Sequence, residues 1–327
     1  MIRGFPSVAR IAMLAQCCTI ACAFQAPLDG PVQIVPRAKP VAPEAARQPL
    51  MRVASSLVLI PVHVTEVSGT SVTGLKKEDF LLFEDGVPQV ITHFAQDDAP
   101  LSAGVLLDTS GSMKNKMALA SQAATSFFQF ANPADEFFLV EFNSRPKLKA
   151  PFTHEWNEIV DEIGHAKAFG QTAMLDAIHL ALAQMKHARN VRKALIVLSD
   201  GGDNFSRRNF NQLKSTLIEA DVQVYAMGIF DRNYAVKHTS EERNGPRLLD
   251  QVAIHSGGRD FPIIDLEDLP QVGVQMARDL RNQYVLGYSP TTLTTDGKYH
   301  HVELQLAPQY TLNLRAHYRS GYYAPNP

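Results

Sequence analysis

Four apolar segments alternate with amphipathic segments between residues 100 and 282, and this alternation restricts the fold more than any other feature. The apolar segments read SAGVLLD, EFFLVEF, KALIVLSD and VQVYAMGI. Each is apolar on both faces, which is typical of strands that are covered on both sides of a sheet. Strands that alternate with helices pair in parallel through right-handed crossovers. The pattern therefore predicts an α/β fold with a doubly wound, mostly parallel sheet.

Six helices are predicted between or after these strands, because apolar residues recur there at intervals of three and four. In one of them Trp156, Ile159 and Ile163 share a face. The predicted helices cover residues 117–131, 156–166, 172–186 and 210–220, a segment ending at the Gly257-Gly258 pair, and residues 269–282.

β-rich segments flank this core on both sides. SLVLIPVHVTEV and DFLLFEDGVPQVITHF precede it, the latter read as two strands joined at Asp85-Gly86, and QYVLGYS, YHHVELQLA and TLNLRAHY follow it. Asp-Gly pairs, which recur at Asp296-Gly297, favour two-residue turns. Isolated hairpins are only marginally stable. We therefore expect residues 56–99 and 283–325 to pack together as a smaller β module, with the α/β domain, residues 100–282, inserted between them.

The N-terminus has the features of an export signal. Two arginines precede the apolar run IAMLAQCCTIACAF, which is short for a membrane span, and Ala21 and Ala23 give the small-x-small pattern of a cleavage site. We interpret residues 1–23 as a signal peptide, with a membrane anchor as the alternative and a lipoprotein signal at Cys22 as a further possibility. The expected location is the periplasm, the cell envelope or the exterior.

Composition excludes several function classes. All three cysteines lie within the predicted signal, so its removal leaves a mature chain without disulfides or thiol chemistry. Residues 24–55, rich in Pro and Ala, are predicted to be a linker. The net charge is −2 and the sequence has no basic cluster, so neither nucleic acid nor an anionic membrane is an expected partner. We expect no membrane span in the mature chain.

Three loop segments carry hydroxyl or carboxylate groups without an apolar partner. They are DTSGS after the first core strand, GQTAMLD before the third helix, and LSDGGDN after the third core strand. In an open α/β sheet, ligands bind where loops converge at the carboxyl ends of the strands. Such oxygen donors suit a hard cation, Mg²⁺, Mn²⁺ or Ca²⁺, and suit zinc poorly. The candidate metal ligands are Asp108, Ser110, Ser112, Thr172 and Asp200. For the first loop taken alone, helix capping is the alternative.

DTSGS, with Thr172 and Asp200, resembles the metal-ion-dependent adhesion site of von Willebrand factor A domains. Over residues 56–325 the chain also resembles the VWFA-related family of acidobacteria, in the segments GLKKEDFLLFEDGVPQVITHF, QTAMLDAI, KALIVLSDGGDNFS, HSGGRDF, QYVLGYSP and RSGYYA. The resemblance implies a Rossmann-like sheet of the von Willebrand factor A type. It also implies an Mg²⁺ held directly by Ser110, Ser112 and, once a ligand has bound, Thr172. Asp108 and Asp200 would then act through bound waters, and a partner's Asp or Glu would complete the coordination.

These features together predict an exported, metal-dependent protein-binding module of the adhesion type, and not an enzyme. One alternative is a structural envelope protein whose metal only stabilises loops. Another is a metal-dependent hydrolase, but a phosphotransferase of the Asp-x-Asp type would need a carboxylate in place of Ser110, and DTSGS is not a Gly-x-Ser-x-Gly elbow. The sequence does not indicate an oligomeric state.

Several other polar residues have simpler expected roles. Asp203 and Asn204 are expected in a turn or cap. Asp176 either orients the threonine of GQTAMLD or faces solvent. His300 and His301 are neighbours in a predicted strand and point to opposite faces, so we do not expect them to share a metal ion.

Overall fold

A computed structural model of the chain describes residues 57–96, 98–230, 244–291 and 296–325. The predicted signal peptide and linker, residues 1–55, lie outside these ranges. Within them, no helix has both the length and the apolar character needed to cross a membrane.

The described residues form fourteen strands and six α-helices. The strands are β1 (Val58–Glu66), β2 (Phe80–Glu84), β3 (Val87–Gln89), β4 (Ile91–Ala95), β5 (Leu101–Asp108), β6 (Glu136–Phe142), β7 (Pro146–Thr153), β8 (Arg192–Ser199), β9 (Gln223–Ile229), β10 (Arg259–Ile263), β11 (Gln283–Tyr288), β12 (Tyr299–Leu306), β13 (Leu314–His317) and β14 (Gly321–Tyr323). The helices are α1 (Met117–Phe128), α2 (Trp156–His165), α3 (Met174–Met185), α4 (Phe210–Ala220), α5 (Gly245–Ser256) and α6 (Leu269–Arg281).

The central sheet has six strands in the order β10-β9-β8-β5-β6-β7. All neighbours pair in parallel except β6 and β7, which are antiparallel. Every residue of β5 is buried, as expected for a strand with helices on both faces. α1, α2 and α6 pack on one face of the sheet, and α3, α4 and α5 pack on the other. The predicted α/β fold with a mostly parallel, doubly wound sheet is confirmed.

Two strands of this sheet do not appear in the sequence prediction. β7 reads PKLKAPFT, and its lysines and prolines obscure the apolar pattern that identified the other strands. β10 reads RDFPI and is likewise short and interrupted by proline. Both lie at edges of the sheet, where proline and charged side chains are tolerated because one side of the strand has no hydrogen-bonding neighbour.

The flanking strands form two antiparallel sheets, β13-β1-β11-β4 and β14-β12-β2-β3. Their buried side chains share one core, which includes Ile60, Phe80, Tyr284 and Leu304. β1 comes before the α/β core in sequence, and both of its neighbours, β11 and β13, come after it. This confirms a smaller β module formed by strands from both sides of the core. We call these eight strands the β module.

The turns of the β module differ partly from the prediction. Asp85 and Gly86 have φ angles of 49° and 80° and join β2 to β3, as the Asp-Gly pair indicates. The segment DFLLFEDGVPQVITHF, however, forms three strands and not two, because β4 leaves the hairpin and pairs with β11 in the other sheet. β11 and β12 also lie in different sheets, so Asp296-Gly297 does not close a hairpin between them.

A buried polar network joins the β module to the central domain at α6. The carboxylate of Asp279 accepts hydrogen bonds from Ser71 Oγ at 2.6 Å and from Arg259 Nη1 at 2.8 Å. His63 Nε2 lies 3.5 Å from the same carboxylate. Burial raises the pKa of Asp279 to about 6 and lowers that of His63 to about 3. These contacts link β1 and α6, which are far apart in sequence.

Candidate metal centre

Two carboxylates meet at the carboxyl edge of the central sheet. Asp108 is the last residue of β5, and Asp200 directly follows β8. Because β5 and β8 are neighbours and run in parallel, both side chains emerge at the same edge. Both residues are almost fully buried, with 0% and 2% of their surface exposed. The position is the one where open α/β sheets bind their ligands.

The Asp108 carboxylate is held on both oxygens. Oδ1 accepts from the backbone N–H of Ser110 at 2.8 Å, and Oδ2 accepts from the hydroxyl of Ser199 at 2.5 Å. Burial, and after it the charge of Asp200, raises the pKa of Asp108 to about 7. A cation bound here would favour the ionised form of Asp108 and compensate the negative charge of the site.

Lys116 is a third charged member of this site that sequence reasoning missed. Its Nζ lies 3.2 Å from Asp200 Oδ2 and donates to the carbonyl oxygen of Ile229 at 2.9 Å. The lysine is 4% exposed, which is rare for this residue type. One signal was available: Lys116 directly precedes α1, and the positive end of the helix dipole disfavours a cation there. With both carboxylates ionised, the three groups have a net charge of −1.

The serine hydroxyls of the DTSGS loop lie next to each other. Ser110 Oγ and Ser112 Oγ are 3.1 Å apart, and a short 3₁₀ turn, Gly111–Met113, fixes the loop between them. Ser110 is buried and Ser112 is exposed. Adjacent oxygens around Mg²⁺, with bonds of 2.0–2.1 Å in octahedral geometry, lie about 3 Å apart. The spacing of the hydroxyls therefore suits two ligands of one such ion.

Thr172 lies in a loop that is bound to both other loops of the site. On one side, Gly111 N–H donates to the Gly170 carbonyl at 3.0 Å. On the other side, Thr172 N–H donates to Asn204 Oδ1 at 3.0 Å, and the Thr172 carbonyl accepts from the backbone of Asn204 and Phe205. These contacts bring the threonine loop to the site through its backbone. Direct coordination by the Thr172 hydroxyl stays a prediction.

Glycine is required at position 170 of this loop. Its φ is +81°, and a Cβ there would lie 2.9 Å from Ser144 Oγ. Ser144 Oγ also accepts from the backbone N–H of Gln171 at 3.1 Å. The close approach of this backbone therefore depends on the absence of a side chain.

The remaining polar residues near the site have structural partners. Asp203 accepts from the N–H of Leu175 at 2.8 Å and so caps α3. The Asp176 carboxylate accepts from the backbone N–H of Arg207 at 3.1 Å, and its two predicted roles stay predictions. The Asn143 amide donates to Thr109 Oγ1 at 3.4 Å.

The rim of the site carries exposed aromatic and basic side chains. Phe169 is 64% exposed and Phe205 is 49% exposed, each in a loop that contacts the site. A cavity of about 490 Å³ beside it is lined by Ser144, Arg145, Pro146, Asp176, Phe205 and Arg207. The rim therefore combines apolar surface with two guanidinium groups.

The donor set fits a divalent cation that prefers oxygen. Two buried carboxylates, Asp108 and Asp200, lie behind two adjacent hydroxyls, Ser110 and Ser112, and the mouth of the site is open to solvent. Hard ions such as Mg²⁺ take these ligands. Lys116 weakens the attraction for a cation, because its ammonium group already pairs with the Asp200 carboxylate.

Comparison with known proteins identifies the central part of the chain. The profile of the von Willebrand factor type A domain matches residues 105–202, a range that contains all five predicted ligands. No curated protein matches the sequence. The solved structures with similarity include a von Willebrand factor type A protein from Catenulispora acidiphila, at 13% identity and a TM-score of 0.49, covering 82% of this chain and 73% of that chain.

Two further structures match a smaller share of this chain. An aerotolerance-related membrane protein from Bacteroides fragilis is 14% identical, with a TM-score of 0.42 and coverage of 54% of this chain and 98% of that chain. The PilB minor pilin from Streptococcus sanguinis is 13% identical, with a TM-score of 0.42 and coverage of 57% and 63%. At these identities the similarity concerns the fold alone. On the profile match and the observed topology, the chain contains a von Willebrand factor type A domain at residues 105–202.

Proposed function

We propose that this protein is an exported, metal-dependent protein-binding module, in which a divalent cation links the central domain to an acidic residue of a partner protein. The proposed ligands are Asp108, Ser110, Ser112, Thr172 and Asp200, and the proposed ion is Mg²⁺, with Mn²⁺ or Ca²⁺ as alternatives. The observation that carries the proposal is the pair of buried carboxylates behind two hydroxyls 3.1 Å apart. The ion would supply a coordination position that accepts a carboxylate from outside.

The residues of the site divide into buried and exposed groups. Asp108 and Asp200 are enclosed, so they supply charge without reaching a partner. Ser112 is exposed and lies at the mouth. Only groups at the mouth can contact both the ion and a second protein. The exposed position of Ser112 therefore favours capture of a partner over a metal ion that only stabilises the loops.

The rim supports an acidic partner. Aromatic residues and arginine are enriched where protein interfaces concentrate their binding energy, and Phe169, Phe205, Arg145 and Arg207 provide these residue types beside the site. Guanidinium groups pair with carboxylates in two-point geometry. We therefore expect a partner whose coordinating Asp or Glu lies on an acidic surface with apolar neighbours.

Export of the protein, its membership of a protein family and a binding function without catalysis belong to the same proposal. Export rests on the sequence of residues 1–23. The assignment to the VWFA-related family of acidobacteria rests on the motifs quoted above. Binding is proposed over catalysis because Lys116, the basic group beside Asp200, is buried and also donates to a backbone carbonyl, which leaves it badly placed to transfer protons.

The test is a pull-down from cell-envelope extract, with the chain immobilised in Mg²⁺ or in EDTA. We expect a partner that is retained in Mg²⁺, released by EDTA, and not captured by Asp108→Ala. Phe169→Ala and Phe205→Ala should weaken capture while leaving Mg²⁺ affinity unchanged. Val191→Ala is the matched control, because Val191 is 84% exposed and lies just before the amino end of β8, whereas the site lies at the carboxyl ends of the strands.

Two outcomes would contradict the proposal. Capture that is equal in Mg²⁺ and EDTA would exclude a metal bridge. If the melting temperature of the chain depends on Mg²⁺ but the capture of proteins does not, the result would favour the structural envelope role.

A further inference from the structure

A second cluster of metal-ligating side chains lies on the β module, separate from the site at Asp108. Glu84 ends β2, Asp85 lies in the following turn, and His300 is in the neighbouring strand β12. One ligand atom from each of the three residues lies within 4.8 Å of the other two. His300 Nδ1 is 2.8 Å from Asp85 Oδ2 and 3.6 Å from Glu84 Oε1. The three side chains therefore point at one small volume.

The sheet and the turn hold these side chains in place. Asp85 has a left-handed φ of 49°, and its Oδ1 accepts from the backbone N–H of His301 at 2.8 Å. The imidazole of His300 stacks on the ring of Tyr322, with centroids 5.7 Å apart. Ligands fixed by regular backbone and by packing are already organised for binding.

A buried carboxylate and a buried phenol strengthen the assignment. Glu84 is 7% exposed, and among the described residues its two oxygens accept long hydrogen bonds, 3.4 Å each, from the Tyr322 hydroxyl. The fully buried Tyr288 hydroxyl has no hydrogen-bond partner of good geometry among the described residues. The Tyr322 hydroxyl therefore donates to Glu84 and orients its carboxylate, and the Tyr288 hydroxyl is a buried polar group beside them.

Charge at the cluster favours a cation. Asp296 Oδ1 lies 3.5 Å from His300 Nε2, so three carboxylates surround one imidazole. The lysine nearest in sequence, Lys298, is 79% exposed and pairs with Asp296 at 3.6 Å. A solvated pair of this kind compensates little of the charge.

The ligand chemistry differs from that of the site at Asp108. One imidazole nitrogen with two carboxylate oxygens is a ligand set of zinc, which commonly leaves a fourth position to water. Tetrahedral zinc with bonds of 2.0–2.2 Å places its ligand atoms roughly 3.4 Å apart. The separations of 2.8 Å and 3.6 Å lie on either side of that value.

We propose that Glu84, Asp85 and His300 bind a zinc ion on the β module, with Tyr322 orienting the Glu84 carboxylate. This site is independent of the proposed function at Asp108. The competing explanation is an ion pair between a protonated His300 and Asp85, which needs no metal.

The experiment measures zinc bound to the full-length, untagged chain by elemental analysis after dialysis, and its affinity by calorimetry at pH 7.5. Excess Mg²⁺ is present throughout, and the three cysteines are alkylated, so that neither the oxygen site nor a thiol contributes. We expect one equivalent of zinc, at least tenfold weaker binding in His300→Gln and unchanged binding in His301→Gln. His301 is the matched control because it is the adjacent residue of β12, is exposed and faces away from the cluster.

Two further variants separate binding from folding. Asp85→Asn keeps a residue that tolerates a positive φ, so it should preserve the turn and still lose zinc. Tyr322→Phe should weaken zinc by about tenfold, the usual effect of removing a group that orients a ligand. The proposal is overturned if the wild-type chain binds no zinc, or if His300→Gln and His301→Gln bind it equally.

Discussion

Lys116 offers a sensitive test of the proposed metal centre, because its ammonium group and a metal ion would compensate the same carboxylate. Lys116 Nζ lies 3.2 Å from Asp200 Oδ2, and both residues are buried. Removing one partner of such a pair typically costs about 3–5 kcal/mol, since the other charge stays buried. In Lys116→Met the metal-free chain bears this cost. A divalent ion beside Asp200 would remove much of it.

The expected gain in Mg²⁺ affinity follows from the part of this cost that the ion removes. If the ion recovers half of the cost, about 1.5–2.5 kcal/mol, Mg²⁺ binds Lys116→Met roughly ten- to sixtyfold more tightly than it binds the wild type. Calorimetric Mg²⁺ titrations of both proteins measure the change. Denaturant unfolding should show a large loss of stability for Lys116→Met in EDTA and a smaller loss in Mg²⁺. Lys114→Met is the matched control, because Lys114 is exposed and two residues away. A folded Lys116→Met chain with unchanged or weaker Mg²⁺ affinity would refute the reasoning.

Three other predictions concern the stability of the whole chain. Mg²⁺ at one hundred times its Kd should stabilise the native state by about 2.7 kcal/mol, which corresponds to roughly 5–10 °C in a thermal shift assay, and no difference from EDTA would argue against occupancy. A chain that ends after Arg281 loses β11 and β13, both neighbours of β1, so we expect lower stability and increased binding of a hydrophobic dye; an equally stable truncation would contradict the shared core. The pKa of His63 is lowered from 6.5 to about 3, so the unfolded chain takes up a proton that the native chain resists, and stability falls as the pH drops below 6.5. The cost of His63→Gln to the free energy of unfolding should therefore shrink by about 1.4 kcal/mol per pH unit between pH 6 and pH 4, whereas a constant cost would show that His63 does not resist protonation.

The fold was largely predictable from local patterns. β5 is buried along its whole length, and its sequence is apolar along its whole length, so the pattern and its cause coincide. The helices begin and end within a few residues of the predicted bounds because their apolar spacing matches the faces they bury. The edge strands β7 and β10 escaped prediction because their prolines and charged residues, which an edge position tolerates, interrupt the apolar pattern.

Contacts between distant segments were less predictable. Lys116 meets Asp200 across 84 positions, and His300 meets Asp85 across 215. The position of Lys116 before a predicted helix is unfavourable for a cation but does not identify its partner, and a histidine in an alternating strand looks like a surface residue. The strand pattern predicts that His300 and His301 face apart. It does not place Glu84 and Asp85 beside His300, because that juxtaposition depends on the pairing of β2 with β12.

The central claim is that a metal ion links this chain to its partner, and paired titrations of Thr172→Ala test it most directly. One titration measures Mg²⁺ by calorimetry, and the other measures the partner recovered from the envelope extract on a surface bearing the chain. Thr172 is expected to coordinate only when an outside carboxylate has bound, so its hydroxyl favours the complex over the free chain. We expect Thr172→Ala to weaken binding of the partner far more than binding of Mg²⁺, and Asp108→Ala to abolish both. Equal loss of metal and partner in Thr172→Ala, or full partner affinity of Asp108→Ala in EDTA, would contradict it.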